Sequence, residues 1–328
     1  MLQALDDLGL IEPDDKPIGS TLAGGVSSDI WRIELDSGLV CAKRALPKLK
    51  VAQDWYAPVE RAGHEAMFNR IVFNLWPKRV PRLIGFHTPT GTLVSEYFAL
   101  DEHPIWKQQL RHGRSQPKFA AMVANFLTDL YHETKDSMPI KEQFYAPDMI
   151  HALRLEPYFL VTAKRHPTLA PALCGLSEMF QSNCVSLIHG DFSPKNILVG
   201  SNGPIILDAE CANFGDPAFD AAFCLNHLCL KALWTPKQIP IFKASADAFL
   251  EIYKKELQST ELLRRVSAYL PGLMLARVDG KSPVEYLVAA DDIQFLRDYA
   301  IRQLRALRDD PQALINDWFE TAANREAA

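Results

Sequence analysis

The sequence predicts an α+β protein of two lobes, a small antiparallel-sheet lobe at the N-terminus and a larger helical lobe after it, with the functional site in the cleft between them. Three observations carry that reading. The first hundred residues read mainly as strands with one helix inserted, helical spacing takes over beyond Leu100, and between Leu187 and Asp208 a polar loop lies between short apolar strands.

Ile18 to Leu22 reads as the first strand, followed by the loop Ala23-Gly24-Gly25-Val26-Ser27-Ser28-Asp29. Trp31, Ile33 and Leu35 alternate with Arg32 and Glu34, the pattern of a half-buried strand. Asp36-Ser37-Gly38 turns the chain, and Leu39-Val40-Cys41-Ala42-Lys43 returns. Pro58 opens a helix expected to reach about Leu75, because proline suits a first helical turn. Leu83 to Phe86 and Thr92 to Tyr97 form a second hairpin around Pro89-Thr90-Gly91. The first lobe therefore covers residues 1–98 and the second residues 99–328. In the second lobe Phe119, Met122, Val123, Phe126, Leu127 and Leu130 lie on one helical stripe, and the chain from Ala218 onward reads as helices.

A chain of 328 residues is long enough for two lobes with a sizeable core. Thirty-five basic residues face 40 acidic ones, and no basic tract occurs, which argues against a nucleic-acid partner. The start Met1-Leu2-Gln3-Ala4-Leu5-Asp6-Asp7 lacks the pattern of a signal peptide, and the apolar run Ala221 to Trp234 is interrupted by Asn226, His227 and Lys231. Six cysteines without Cys-x-x-Cys spacing, mostly flanked by apolar residues, read as buried free thiols of a reducing cytoplasm. Neither membrane nor nucleic acid is expected as a partner. Monomer and homodimer fit the sequence equally.

The chemistry concentrates in Leu187-Ile188-His189-Gly190-Asp191-Phe192-Ser193-Pro194-Lys195-Asn196-Ile197-Leu198, with Asp208 ending the next strand. An Asp, an Asn five residues on and a second Asp after a short strand is the order that phosphoryl transfer from ATP uses. Asp191 is the candidate base that orients an acceptor hydroxyl and takes its proton. Asn196 and Asp208 are candidate Mg²⁺ ligands, hard oxygen donors suited to a cation already held by phosphate. Glu210 points the same way as Asp208 on an extended segment, and reads equally as a further metal ligand or as a solvated charge. His189 is expected to orient the loop through hydrogen bonds. Lys195 either reaches the transferred phosphoryl group or is solvated. Asp216, before Pro217, is placed to cap the following helix, and Asp220 to support the catalytic loop.

On the returning strand of the first lobe, Lys43 is positioned to bridge nucleotide phosphates. It needs a carboxylate partner on the next helix. Glu60 already has a role in the first turn, whereas Glu65 shares the face of Ala62 and Ala66 and is the residue chosen. Gly24 and Gly25, with Ser27 and Ser28, bring backbone N–H groups and hydroxyls towards the β- and γ-phosphates. Glu96 to Phe98 ends the last strand of the lobe, where adenine would pair.

With those residues in place the chain resembles the aminoglycoside phosphotransferase and choline kinase superfamily, the small-molecule branch of the protein-kinase-like fold. The resemblance rests on His189-Gly190-Asp191 with Asn196-Ile197-Leu198 and extends from about Thr21 to the C-terminal helices. A closer local similarity is to the 5-methylthioribose kinase family, through Lys43-Arg44-Ala45-Leu46-Pro47, Trp55, Arg61-Ala62, Glu65-Ala66 and Asp208-Ala209-Glu210-Cys211-Ala212. Ser193-Pro194-Lys195-Asn196 departs from that family's His-Thr-Gly-Ser type of loop. Arg277 lies roughly where the family places substrate-contacting arginines, in different surroundings. The superfamily typically presents acidic side chains to cationic acceptors, and no such cluster is legible here; Arg154-Leu155-Glu156-Pro157-Tyr158, of mixed charge, reads as an acceptor lining or as a surface segment.

The expectation is thus a cytoplasmic kinase that uses ATP and Mg²⁺ to phosphorylate a hydroxyl of a small metabolite. Two alternatives accompany it. A nucleotide-binding pseudokinase would usually have lost the base, the metal Asp or the strand Lys, all of which are present. A protein Ser/Thr kinase would carry an activation segment ending in Ala-Pro-Glu, which does not follow Asp208.

Overall fold

The computed structural model describes residues 1–12, 14–22, 25–50, 54–306 and 308–326. By its contacts the chain forms two compact units, Met1–His103 with Ile205–Ala212, and Pro104–Pro204 with Asn213–Ala328.

The first unit is built on five antiparallel strands: β1 (Ile18–Thr21), β2 (Ser28–Leu35), β3 (Gly38–Ala45), β4 (Leu83–His87) and β5 (Thr92–Glu96), in the order β1-β2-β3-β5-β4. β2 and β3 pair along their whole length, from Ser28 opposite Ala45 to Leu35 opposite Gly38. β2 thus begins before the alternating stretch, because backbone pairing continues where side-chain pattern does not mark it. A short helix, α1 (Leu2–Asp7), which the sequence did not announce, buries Leu5 against Ile33, Leu35, Val40, Ala42 and Val94. Burying a leucine in this way contributes roughly 1.5–3 kcal/mol.

Strand alternation turns Val40 and Ala42 towards that cluster and Lys43 to the opposite face. There α2 (Arg61–Leu75) lies on the sheet, burying Arg61, Ala62, Glu65, Ala66, Phe68, Asn69 and Val72. The helix starts at Arg61 rather than at Pro58. Ala62 N–H donates to Val59 O at 3.1 Å and Gly63 N–H to Glu60 O at 2.8 Å, so Pro58 to Glu60 form a tighter lead-in turn. At Gly25 a Cβ would stand 2.7 Å from the Ser28 carbonyl, which leaves room only for glycine.

The second unit is mostly helical. The helix Pro117–Thr134 carries the expected stripe, burying Val123, Phe126, Leu127 and Leu130. The helix Pro217–Trp234 is buried on all sides from Pro217 to Leu233. Phe219 packs edge-on against Phe159, Phe180 and Tyr269. The segment around Arg154 is a π-helix, His151–Leu160, and Arg154 is buried in it, which corrects the reading of this stretch as surface. Pro157 lies inside this helix; a proline ring clashes with the carbonyl four residues back, and the wider π turn relieves that clash. Ser186–Ile188 pairs antiparallel with Asn213–Gly215. Among the described residues no helix is long and apolar enough to cross a membrane. None of the six cysteines is in a disulfide; Cys211, Cys224 and Cys229 are buried as expected, whereas Cys41, Cys174 and Cys184 are only half-buried.

Candidate active site

In the first unit, the buried Lys43 ammonium donates to Glu65 Oε2 at 2.7 Å and to Asp208 Oδ1, with Glu210 Oε2 at 3.8 Å. Three chain segments supply this cluster: β3 the lysine, α2 Glu65, and the returning segment 205–212 the other two carboxylates. Ligand atoms of Glu65, Asp208 and Glu210 all lie within 4.8 Å of one another, the only such group of potential metal ligands found among the described residues. Asp208 has φ 64°, a left-handed conformation rare for a side chain that is not glycine. Burial disfavours the Lys43 charge, but Asp208, Glu65 and Glu210 reverse that and hold its pKa well above the ordinary lysine value. Burial also pushes the Glu65 carboxyl up; Lys43 opposes the shift and the Asp208 and Glu210 carboxylates add to it. The site therefore has acidic character beyond what one ammonium neutralises, and its donors are the hard oxygens that suit Mg²⁺.

Arg61, which no pattern in the sequence marks as part of a site, sits wholly buried beside this cluster. It donates to Glu210 Oε2 at 3.2 Å and to the carbonyls of Ser27 (2.6 Å), Leu46 (2.8 Å), Ala57 (3.1 Å) and Pro58 (2.8 Å). One guanidinium thereby ties the loop before β2 to α2 and to Glu210.

The other first-unit residues are placed as follows. Gly24 lies outside the described residues; Gly25 lies before β2. Ser27 is buried with its carbonyl shared by Arg61 and the Leu46 N–H, and the buried Ser28 Oγ has no hydrogen-bond partner among the described residues. Glu96 ends β5, where its backbone N–H donates to Arg82 O at 3.0 Å. Phe98 packs edge-on against His103, ring centroids 4.9 Å apart.

In the second unit, Asp191 is buried and surrounded by donors. Arg154 Nη2 is 3.2 Å from Oδ1, Lys195 Nζ is 3.1 Å from Oδ2, and Asn196 Nδ2 is 3.0 Å from Oδ2. Asn196 Nδ2 also donates to the Asp191 carbonyl at 3.0 Å, closing the loop on itself. The Asn196 amide is thus engaged with Asp191. The Asp191 N–H donates to His189 Nδ1 at 3.2 Å, so the histidine orients the loop. Asp220 accepts from the N–H groups of His189 (2.6 Å) and Gly190 (2.9 Å). Asp216 caps the next helix through Ala218 N–H at 3.0 Å and is held by Arg265 and by the Tyr269 hydroxyl.

Arg277 connects to the same region. Its Nη1 donates to Tyr158 Oη at 2.9 Å, and the Arg154 guanidinium lies over the Tyr158 ring, 5.7 Å from its centroid. Glu156 stands apart from that chain of contacts, 4.0 Å from Lys281.

The chain belongs to the phosphotransferase enzyme family, whose model matches residues 20–269. Among proteins of known name it is similar to a methylthioribose kinase of Pectobacterium atrosepticum, 23% identical over 266 residues that cover 73% of this chain and 66% of the relative. The chain spans 61–66% of the length of the first such relatives. In fold it is similar to a choline/ethanolamine kinase family protein from Mesorhizobium loti, with a TM-score of 0.55 and 14% identity over 98% of each chain. It is also similar to an amicoumacin kinase, with a TM-score of 0.58 and 13% identity over 94% of this chain and 95% of that one.

Proposed function

We propose that the protein is a kinase that transfers the γ-phosphoryl group of ATP to a hydroxyl of a small metabolite, with Mg²⁺ as the metal. One observation carries this reading: a lysine, a helical glutamate and Asp208, 22 and 165 residues from the lysine in the chain, meet at a single buried ammonium. That is the arrangement by which a strand lysine is fixed for nucleotide phosphates. Membership of the phosphotransferase family supports it, as does the description of the amicoumacin kinase as a complex with AMP-PNP and Ca²⁺.

In this account the first unit binds nucleotide. Lys43, steadied by Glu65, contacts the phosphates, and Gly25, Ser27 and Ser28 offer backbone and hydroxyl donors nearby in sequence. Asp208 would supply a metal oxygen and Glu210, fixed by Arg61, a further carboxylate, and Asn196 is the remaining candidate ligand. The bound Mg²⁺ would neutralise phosphate charge. Glu96 to Phe98 would face adenine. Asp191 orients the acceptor hydroxyl and accepts its proton as the acceptor oxygen bonds to phosphorus and the bond to ADP breaks. Lys195, beside Asp191, offers its ammonium to the phosphoryl group in transit. Six cysteines without a disulfide suit a cytoplasmic enzyme.

The test is ADP release by the full chain with Mg-ATP and a panel of hydroxylated metabolites. Turnover on one class, lowered about 10²–10⁴-fold by Asp191→Ala, is the expected result. An Asp191→Ala variant as active as the wild type would rule out the assigned base, and absence of any nucleotide binding would rule out the kinase.

A further inference from the structure

Two cations in the second unit are buried without a counter-ion. Lys231 is 2% exposed and Arg277 8% exposed, and among the described residues neither forms a salt bridge with a carboxylate. Lys231 Nζ lies 3.2 Å from His227 Nδ1 and 3.4 Å from Tyr286 Oη, both uncharged partners. Arg277 uses Nη1 on Tyr158 and on Ser282, while its buried Nε has no hydrogen-bond partner. Glu285, which acts on Lys231, is itself bonded to Lys107 at 2.7 Å. Burial, Lys107 and Arg277 together drive the Lys231 pKa well below its ordinary value, and burial and Lys231 do the same for His227.

Such an arrangement is costly, because buried charges are ordinarily paired. It persists next to the candidate base: Arg277 touches Tyr158, Arg154 lies over the same ring, and Arg154 bonds Asp191 at 3.2 Å. Phe223 joins the same group, under Arg154 and against His227.

We propose that the acceptor carries, besides the hydroxyl that Asp191 orients, a compact anionic group, a carboxylate or a phosphate, and that Arg277 and Lys231 hold it. This rests on the kinase reading for the role of the hydroxyl, while the anion subsite rests on the burial of Arg277 and Lys231 without a carboxylate partner among the described residues. It selects against choline-like or aminoglycoside-like cations, which two unpaired positive side chains would repel, and in favour of hydroxy acids or sugar phosphates. Arg277 is suited to a planar, bidentate contact and Lys231 to a point charge.

The experiment is a thermal melt of the full chain in sodium acetate and in sodium phosphate, against sodium chloride at equal ionic strength, for wild type and Lys231→Met. Acetate or phosphate is expected to raise the wild-type Tm above that in chloride, and the responding anion tells the two classes apart. Lys231→Met is expected to melt no lower than the wild type in chloride, since it removes an uncompensated charge, and to bind the anion about tenfold or more weakly. An equal anion response in both proteins, or none in the wild type, overturns the subsite. ADP release is then measured with glycerate, gluconate and ribose 5-phosphate against glycerol, ribose and choline. Anion binding without turnover on any compound sinks phosphoryl transfer and leaves the subsite standing. Turnover on the neutral or cationic compounds that Lys231→Met does not change sinks the anionic acceptor and leaves the kinase standing.

Discussion

Arg61 and Glu210, 149 residues apart in the chain, meet at 3.2 Å within the first unit, and the same guanidinium reaches four backbone carbonyls. Glu210 is therefore a clamped carboxylate. Removing the arginine takes a charged donor from that carboxylate and from four carbonyls. Arg61→Met is expected to lower unfolding stability by about 3–5 kcal/mol, the cost of breaking a buried pair on one side. Arg61→Lys should recover little, because one ammonium cannot span five acceptors in a plane. Urea midpoints of the three proteins check this; a midpoint for Arg61→Met equal to wild type would refute it.

Lys43 separates the carboxylates of Glu65 and Asp208. Lys43→Met should lower kcat/KM by about 10²–10³-fold, the range for losing one preorganised donor. It should also lower the melting temperature, since the carboxylates then face one another uncompensated. Adding Glu65→Gln to Lys43→Met is expected to restore part of the melting temperature and none of the activity. Recovery of activity in the double variant would mean that Lys43 acts only through Glu65.

Asp208 combines a carboxylate proposed as a metal donor with a left-handed backbone. Asn tolerates that conformation and lacks the charge, so Asp208→Asn should fold and lose Mg²⁺-dependent ATP binding. Asp208→Val adds backbone strain of about 1–3 kcal/mol. Calorimetric titration of ATP with Mg²⁺ and with EDTA separates the two: the wild type should lose affinity in EDTA, and Asp208→Asn should bind equally weakly in both.

Burial pushes the Asp220 carboxyl up from 3.8 to about 7, against the His189 and Gly190 N–H groups that favour its ionised form. Between those values the folded protein holds a proton that the unfolded chain has released, so this residue's contribution to stability falls as pH rises. It is greatest below about pH 4 and levels off above about pH 7. The stability of the wild type minus that of Asp220→Asn is therefore expected to decline across this window and to stay flat above it. Urea melts at stepped pH measure the difference, and a constant difference from pH 4 to pH 8 would contradict the raised pKa.

Local features were legible in the sequence because local physics fixes them. Alternation marked β2 and β3 and a helical stripe marked the helix Pro117–Thr134. The spacing of Asp191, Asn196 and Asp208 within 18 residues marks the candidate catalytic segment. Helix starts were less legible: α2 begins at Arg61 because Pro58 to Glu60 close a tighter turn, a choice between nearly equivalent backbone geometries.

What the tertiary structure alone decided is which charges are buried together. Arg61, Lys231 and His227 look in the sequence like ordinary polar residues on helices, and Arg154 like a surface residue. Their roles depend on neighbours far along the chain: Glu210 for Arg61, Asp191 for Arg154, Tyr286 for Lys231. A helix period says which face a residue is on and nothing of what meets that face. The cost of an unpaired buried charge, which points here to an anionic acceptor, exists only once the surrounding chain has excluded water.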